Sequence, residues 1–415
     1  MRTHFIAASP NTEKDDNQLA FKLLLQPGLW FKKTETVRFE SEMANYLGND
    51  VQAFAFDSAR SSFYLLLKLY GVGPGDEVIL PSFSCLVIAN PVIWLGAKPV
   101  YVDINAETFN IDLNDLKRKV TDKTKVILVQ HTFGLIIDVS KVRKIVGKKV
   151  KIIEDTAHTL GNDWKGKKVG TLGDAAILTF GIEKMISTVR GGMAVTSDPA
   201  ISIKLKKIQA TLPNFSRIRV LVSLLNPLYW NFVKKIYYWG IAKFTLGRIF
   251  TWIGHQFGLL GNMIELGEYD SLKPDWLPAQ LPGALSILGV HQLQKLDRFN
   301  LHRRVIFNIY EDELQQFANH PEAKKNSFLR YPLVTKQWKE ITAILKQKHI
   351  VVGDWYHRIL FAPPKTLEKL GYQVGMTPAA EKISQQIINL PTNIQVSTED
   401  ASEIVQVIIN FLHKK

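Results

Sequence analysis

The stretch TFGIEKMISTVRGGM, from Thr179 to Met193, holds one lysine, Lys184, close behind an apolar run and just ahead of a glycine pair. A lone loop lysine is ordinarily a solvated surface residue. A lysine sheltered where a buried strand runs out is a different reagent, because desolvation lowers its pKa and frees the amine to attack. Other stretches bear on the choice. IIEDTAHTLG sets Asp155 at the end of an apolar run with His158 three residues on, and AAILTFGIEK sets Thr179 five residues before Lys184. FDSARSSFYLL places hydroxyls and free backbone N–H groups where a helix should begin, which is an anion site. An anion site, a strand-end carboxylate and a sheltered lysine are the three anchors of pyridoxal phosphate. The phosphate needs backbone donors, the ring nitrogen a carboxylate that keeps it protonated, and the aldehyde an amine to condense with. Taken singly, Asp155 reads equally as a helix cap, His158 as a satisfied core histidine and Thr179 as an ordinary strand residue. Their order along the chain is what points to a cofactor.

Such residues act together only if the fold brings strand ends to one edge. Between residues 58 and 200 short apolar runs alternate with helical patterns. SARSSFYLLLKLYG predicts a helix with Ser58 near its start and Gly71 just past its end. EVILPS, KPVYVD, KVILVQH, KIIED, AAILTF and GMAVT read as strands. LVIANPVIWLG, DLNDLKRKV with an Asp112 cap, and VSKVRKIVG read as helices. This alternation predicts an α/β layer with a mostly parallel sheet flanked by helices. Ligands collect at the carboxyl ends of such strands. His131, Asp155 and Phe180 fall there, and Lys184 just beyond. After Met263 the texture changes. LPGALSILGVHQLQKLDRFNLHRRVIFNIYEDEL predicts one long amphipathic helix, HIVVGDWYH a strand and QQIINLPTNI a strand-like loop. STEDASEIVQVIINFLHKK predicts a closing helix with Ser397 and Asp400 as a capping box. The expected organisation is an N-terminal arm (1–34), a large α/β domain (35–212), a basic, aromatic-rich helical insertion (213–263) and a smaller α+β domain (264–415).

The ordered set of motifs resembles the DegT/StrS family of sugar aminotransferases, within the pyridoxal-phosphate enzymes of the aspartate-aminotransferase type (fold type I). FESEMANYLG, DSARSSFYLLLKLYGVGPGDEVILPSFS, GAKPVYVDINAETFNID, VQHTFG, EDTAHTLG, VGTLGDAAILTF and GGMAV follow in the family's order, and AEKISQQIINLP is similar to its C-terminal domain. The resemblance implies that Lys184 condenses with the cofactor and that Asp155 partners the pyridine nitrogen. It implies that His158, at a position often Gln, bonds the phenolic oxygen, and that Thr179 stands for a serine that contacts the phosphate. Ala59 and Arg60 sit where a Gly-Thr pair offers amides to the phosphate, so the loop gains a charge. Cys85 aligns with an aromatic ring that stacks on the cofactor. PAQ, Pro278 to Gln280, aligns with an Asn-Tyr-Arg stretch that reaches into the partner's site, and FGIEK replaces the commoner FxPTK. The implied function is a homodimeric transaminase that moves an amino group from an amino acid, glutamate, to a nucleotide-linked keto sugar. Two alternatives are a related sugar dehydratase, against which Lys184 argues because those enzymes carry histidine there, and a non-catalytic membrane-surface or regulatory relative.

At 415 residues and 46% hydrophobic content the chain is long enough for two domains. The single cysteine, Cys85, excludes an intramolecular disulfide, reads as a small core hydrophobe and fits a reducing, cytoplasmic setting. The apolar run at the start is too short for a signal peptide, and no window approaches the roughly 20 apolar residues of a spanning helix. His255, His291 and His302 lack metal-ligand spacing, so no metal is expected. Net charge is +14, but nine Lys and Arg and no Asp or Glu lie between Pro199 and Ile264, so the rest is only mildly basic and no nucleic-acid partner is expected. Within 213–263, Leu221, Leu224, Leu225, Leu228 and Phe232 share one helical face. That face predicts either a helical cap packed on the domain or a dimer partner, or a peripheral element at the inner face of a membrane.

Overall fold

The six predicted strands and one that the sequence reading missed, Gln52–Phe56, assemble into one seven-stranded sheet. In the computed structural model, which describes residues 10–413 apart from 49, 242–243, 257–259, 261–262 and 318–324, these strands are β1 (Gln52–Phe56), β2 (Glu77–Pro81), β3 (Lys98–Val102), β4 (Thr124–Gln130), β5 (Lys151–Asp155), β6 (Ala175–Thr179) and β7 (Gly192–Thr196). Their order is β1-β7-β6-β5-β4-β2-β3. Only β7 runs antiparallel to its neighbours, so β1 points the same way as the parallel strands. Alternate residues face opposite layers. Val126 and Leu128 of β4 enter one core cluster and Ile127 and Val129 another, while Ala175 and Ile177 part from Ala176 and Leu178 on β6. A sheet buried on both faces needs apolar residues throughout, which is why these strands read as continuous runs.

Helices α1 (Lys14–Leu24), α2 (Lys33–Leu47), α3 (Ala59–Leu69), α4 (Leu113–Lys119), α5 (Val139–Val146) and α6 (Pro199–Thr211) accompany the sheet. Two of their predicted caps form: Ser58 accepts from the Ser61 amide and Asp112 from the Asp115 amide. Then come α7 (Arg217–Ile236), α8 (Leu246–Gln256), α9 (Gly283–Leu293), α10 (Leu296–Leu314), α11 (Trp338–Gln347) and α12 (Thr398–Leu412). An antiparallel pair, β8 (Arg330–Val334) and β9 (Ile387–Pro391), packs with α10, α11 and α12. Helix α12 starts with the reciprocal Ser397–Asp400 capping box.

The second half departs from the sequence expectations in three ways. The single long helix is two, α9 and α10, with the junction at Gln294 and Lys295. The apolar periodicity continues across it, so only tertiary contacts mark the break: the Lys295 ammonium is held by Asp15 and Asp16 of α1. Helix α9 also does not go with the smaller domain. It is buried on nearly every side against α2 and shares a core cluster with β1 and β6. Finally, HIVVGDWYH is not a strand; it is a turn tied to β9 through the Gly353–Asn389 bridge. The strand lies in FLRYPLV instead, where a proline in an isolated two-stranded pair costs little.

The α9–α2 contact is tight enough to test. A Cβ on Gly289 would lie 2.4 Å from the buried Phe39 ring. We expect Gly289→Leu to lower the urea midpoint, with a stability loss of about 1–3 kcal/mol from overpacking that outweighs its better helix propensity. An unchanged midpoint would show that the contact is slack.

Candidate active site

Strand β1 runs into α3 at the carboxyl edge of the sheet, and the corner is built from polar residues. The Ser58 hydroxyl accepts from the Ser61 amide at 3.2 Å. Ala59 and Arg60 are the first two helical residues, so their amides have no partner within the helix and point out of its start. Strand β7 passes so close that a Cβ on Gly192 would lie 2.1 Å from the Ala59 nitrogen, which only glycine allows. Beneath, buried Asp57 accepts from the Ala279 amide at 2.7 Å and from the Ser58 and Ser61 hydroxyls at 2.7 and 3.0 Å. Burial pushes its carboxyl up, against those hydrogen bonds. The PAQ stretch therefore lies against its own chain's helix-start loop, with the Asp57 amide donating to the Ala279 carbonyl in return. Arg60 adds the charge expected from the sequence, and the fold answers it. Its guanidinium pairs with fully buried Glu268 and donates to the Met263 carbonyl at 3.2 Å.

Lys184 lies in the turn after β6, half-buried, with Nζ 4.2 Å from the Trp355 ring centroid. Burial lowers its pKa to about 8, and Arg330 adds to this, while Asp155 and Glu183 pull the other way. Asp155 ends β5 and accepts from the Ala157 amide at 2.9 Å. Burial pushes its carboxyl up, opposed by that amide and by the Lys184 charge. Glu183, pushed up to about 7 by burial, pairs with Arg330, whose guanidinium lies 3.5 Å from the Trp355 centroid. One cavity is lined by Ala59, Arg60, Cys85, Asp155, Thr179 and Lys184 together, with Tyr356 on its wall. Burial pushes the Cys85 thiol up, so it is no thiolate. The cavity's other lining residues include an aromatic ring, Tyr356, beside the small residue at 85.

His158 is the exception among the sequence candidates: it is not part of the lining. Its Nδ1 accepts from the Phe133 amide at 3.0 Å, its Nε2 faces the Tyr356 hydroxyl at 3.3 Å, and its ring lies between Phe133 and Trp355. Burial, then the Lys184 and Arg330 charges, hold it well below the usual histidine value, so it is neutral. The residues that sequence reasoning missed are Trp355, Tyr356, Glu183, Arg330 and Glu268. Glu183 was visible beside Lys184. The aromatic pair sat inside a segment read as a strand, and nothing local marks Arg330 or Glu268. Among the described residues, Asp15, Asp16 and His291 also come within metal-ligand distance of one another, but the Lys295 ammonium already lies against both carboxylates.

An amine of lowered pKa, a buried carboxylate and a helix start in one cavity fit pyridoxal phosphate. The profile of the DegT/DnrJ/EryC1/StrS aminotransferase family matches residues 11–214 and 280–409. The chain is 26% identical to the GDP-perosamine synthase of Escherichia coli O157:H7 over 386 residues, 91% of this chain and 90% of that protein. It is 25% identical to the spore coat polysaccharide biosynthesis protein SpsC of Bacillus subtilis over 421 residues, 98% and 97% of the two chains. The crystal structure of an aminotransferase from Psychrobacter cryohalolentis shares its fold, with a TM-score of 0.75 at 18% identity over 99% of both chains. Matched along most of its length, the chain belongs to the DegT/DnrJ/EryC1/StrS aminotransferase family and is an aminotransferase that uses pyridoxal phosphate.

Proposed function

We propose that this chain transfers an amino group from an amino acid, glutamate, to a keto group on a nucleotide-linked sugar, and that it works as a cytoplasmic homodimer with residues 213–263 in peripheral contact with the inner face of a membrane. The observation that carries the chemistry is the Lys184 amine, lining one cavity with Asp155 and the start of α3. The relative named a GDP-perosamine synthase supports a nucleotide sugar as acceptor.

Pyridoxal phosphate, when bound, supplies an aldehyde that condenses with amines and a ring that withdraws electrons from the carbon beside the nitrogen. The chain's own residues do the rest. The Ala59 and Arg60 amides bind phosphate, with the Thr179 hydroxyl at the adjoining strand end. Arg60, held by Glu268, keeps a cation beside that anion. The Asp155 carboxylate holds a proton on the ring nitrogen. Lys184 anchors the cofactor and, as a free amine, carries the proton to and from the substrate carbon. Neutral His158 positions the Tyr356 hydroxyl at the cavity wall, and Cys85 contributes a small apolar surface.

The test is to give the holoenzyme glutamate and a panel of keto sugars on GDP, UDP and dTDP, and to follow amino sugar and 2-oxoglutarate by mass spectrometry. An aminated sugar nucleotide is expected. If glutamate is consumed but no sugar accepts the nitrogen, the acceptor class is wrong; if no amino acid changes the cofactor's visible spectrum, the transfer reading fails.

Two further outcomes follow from the site. Asp155→Asn keeps the shape and loses the charge, so the variant should retain bound cofactor while the rate of the glutamate half-reaction falls at least about a hundredfold. Wild-type rates would remove Asp155 from its role. The second concerns pH. Only the unprotonated amine can condense, and burial places that deprotonation at about 8 instead of 10.5. Cofactor capture by the cofactor-free chain should therefore speed up as pH rises through about 8 and then level off. A rate still climbing above pH 10 would point to a solvated lysine.

A further inference from the structure

Helix α7 buries an apolar face, Val220, Leu224, Trp230, Val233 and Ile236, and carries further apolar residues on its outward side. The face it turns inward, onto α1, carries Ser223, Asn226, Pro227 and Lys234 among its buried or half-buried residues. Asn226 donates to the Leu260 carbonyl at 2.9 Å, and Lys234 donates to Gln395 at 2.7 Å. Burial pulls the Lys234 ammonium down to about 7. The face it turns outward carries Ile218 and Phe232, 72% and 52% exposed, with Leu221 between them. Of the stripe predicted from Leu221, Leu224, Leu225, Leu228 and Phe232, Leu221 and Phe232 are exposed, Leu225 and Leu228 half-buried and Leu224 buried. Next to it, α8 presents Trp252, 63% exposed, and the turn between the helices presents Phe244, 80% exposed. An apolar surface of this kind on a soluble chain marks a contact with something else.

Charge selects what that something is. The segment from Pro199 to Ile264 has no Asp or Glu. Of the six cations counted in 213–263, Arg219 lies over the Trp276 ring at 4.1 Å, Lys234 turns inward, and Lys243 lies outside the described residues. Exposed Arg217 and Lys235 remain at the two ends of the apolar stripe, and half-buried Arg248 on α8. A second copy docked through the same patch would set these cations against themselves with no acid to answer them. An anionic lipid surface accepts both parts of the pattern: headgroup charge for the cations and the interfacial zone for Trp and Phe. No helix among the described residues is long and apolar enough to cross a membrane, so the contact lies along the surface. We propose that the outward face of α7 and α8 docks the chain on an anionic phospholipid bilayer. The proposal deepens the peripheral placement of residues 213–263 and does not depend on the aminotransferase reading.

The test is flotation of the cofactor-bound, full-length protein with phosphatidylcholine vesicles, with and without phosphatidylglycerol, at low and high salt. Binding should need the anionic lipid and fall with salt. The variant Arg217→Glu/Lys235→Glu should lose about tenfold or more in vesicle binding, and Phe232→Ser/Trp252→Ser should lose it as well. Both variants should keep the cofactor's visible absorbance and the glutamate half-reaction, which separates this outcome from failure of the active site. Equal binding to neutral vesicles, or no binding at low salt, overturns the proposal. A Phe232→Ser/Trp252→Ser variant that changes oligomeric state while wild-type protein ignores vesicles would assign the face to a contact between copies.

Discussion

The amine of half-buried Lys184 is partly withdrawn from water, and the architecture around it follows from the cost of that desolvation. An isolated ammonium removed from water costs several kcal/mol even after the protein relaxes. The chain meets this by letting the amine lose its proton more easily and by surrounding it with groups of alternating sign. Asp155 comes from the end of β5, Glu183 from the preceding residue, Arg330 from β8 and the Trp355 ring from the turn after α11. The aromatic face receives two cations, Lys184 and Arg330, at 4.2 and 3.5 Å from its centroid. Two of these four partners are more than a hundred residues away in sequence. The amine's environment therefore exists only once the second half of the chain is packed on the sheet, and one hydrophobic cluster running from Phe63 to Tyr331 and Leu390 accomplishes that packing.

The phosphate end of the cavity is governed by the same rule. Replacing a small uncharged residue by Arg60 at a helix start brings a guanidinium into a buried place, and a buried charge needs a partner. Glu268 is that partner, and it lies within residues 215–279, which the family profile does not match. Ala279, at the end of the same stretch, exchanges hydrogen bonds with Asp57 below the helix start. A segment that looks like an appendage in sequence is thus fastened to the corner where β1 becomes α3. Asn90 and Trp94 add two more ties, to the carbonyls of Glu268 and Ser271.

Residues 213–263 also show why an apolar stripe does not say which way a helix faces. The helical period of the leucines in α7 is real, but the buried side is rotated from it, centred on Val220, Leu224, Pro227, Trp230 and Val233, so Leu221 and Phe232 are left outside. Its buried side combines apolar residues with two polar ones, Asn226 bonded to the Leu260 carbonyl and half-buried Lys234 bonded to Gln395, while Phe232 meets solvent.

The sequence alone was enough for six of the seven strands of the sheet; the edge strand β1 was not read from it. Strands buried on both faces write themselves as apolar runs, Ser58, Asp112 and Ser397 mark helix starts through local hydrogen bonds, and Lys184, Asp155 and Thr179 are legible because each follows a strand that fixes its place at one edge. These are short-range facts, settled within a few residues of chain. Tertiary structure decided what depends on distant partners: the split between α9 and α10, the union of α9 with the sheet, the His158 ring set behind Tyr356, and the charges of Arg330 and Glu268 brought to the cavity. No local pattern encodes these, because a buried charge or ring is placed by whatever neutralises or packs against it, and that partner is chosen only when the chain folds back on itself.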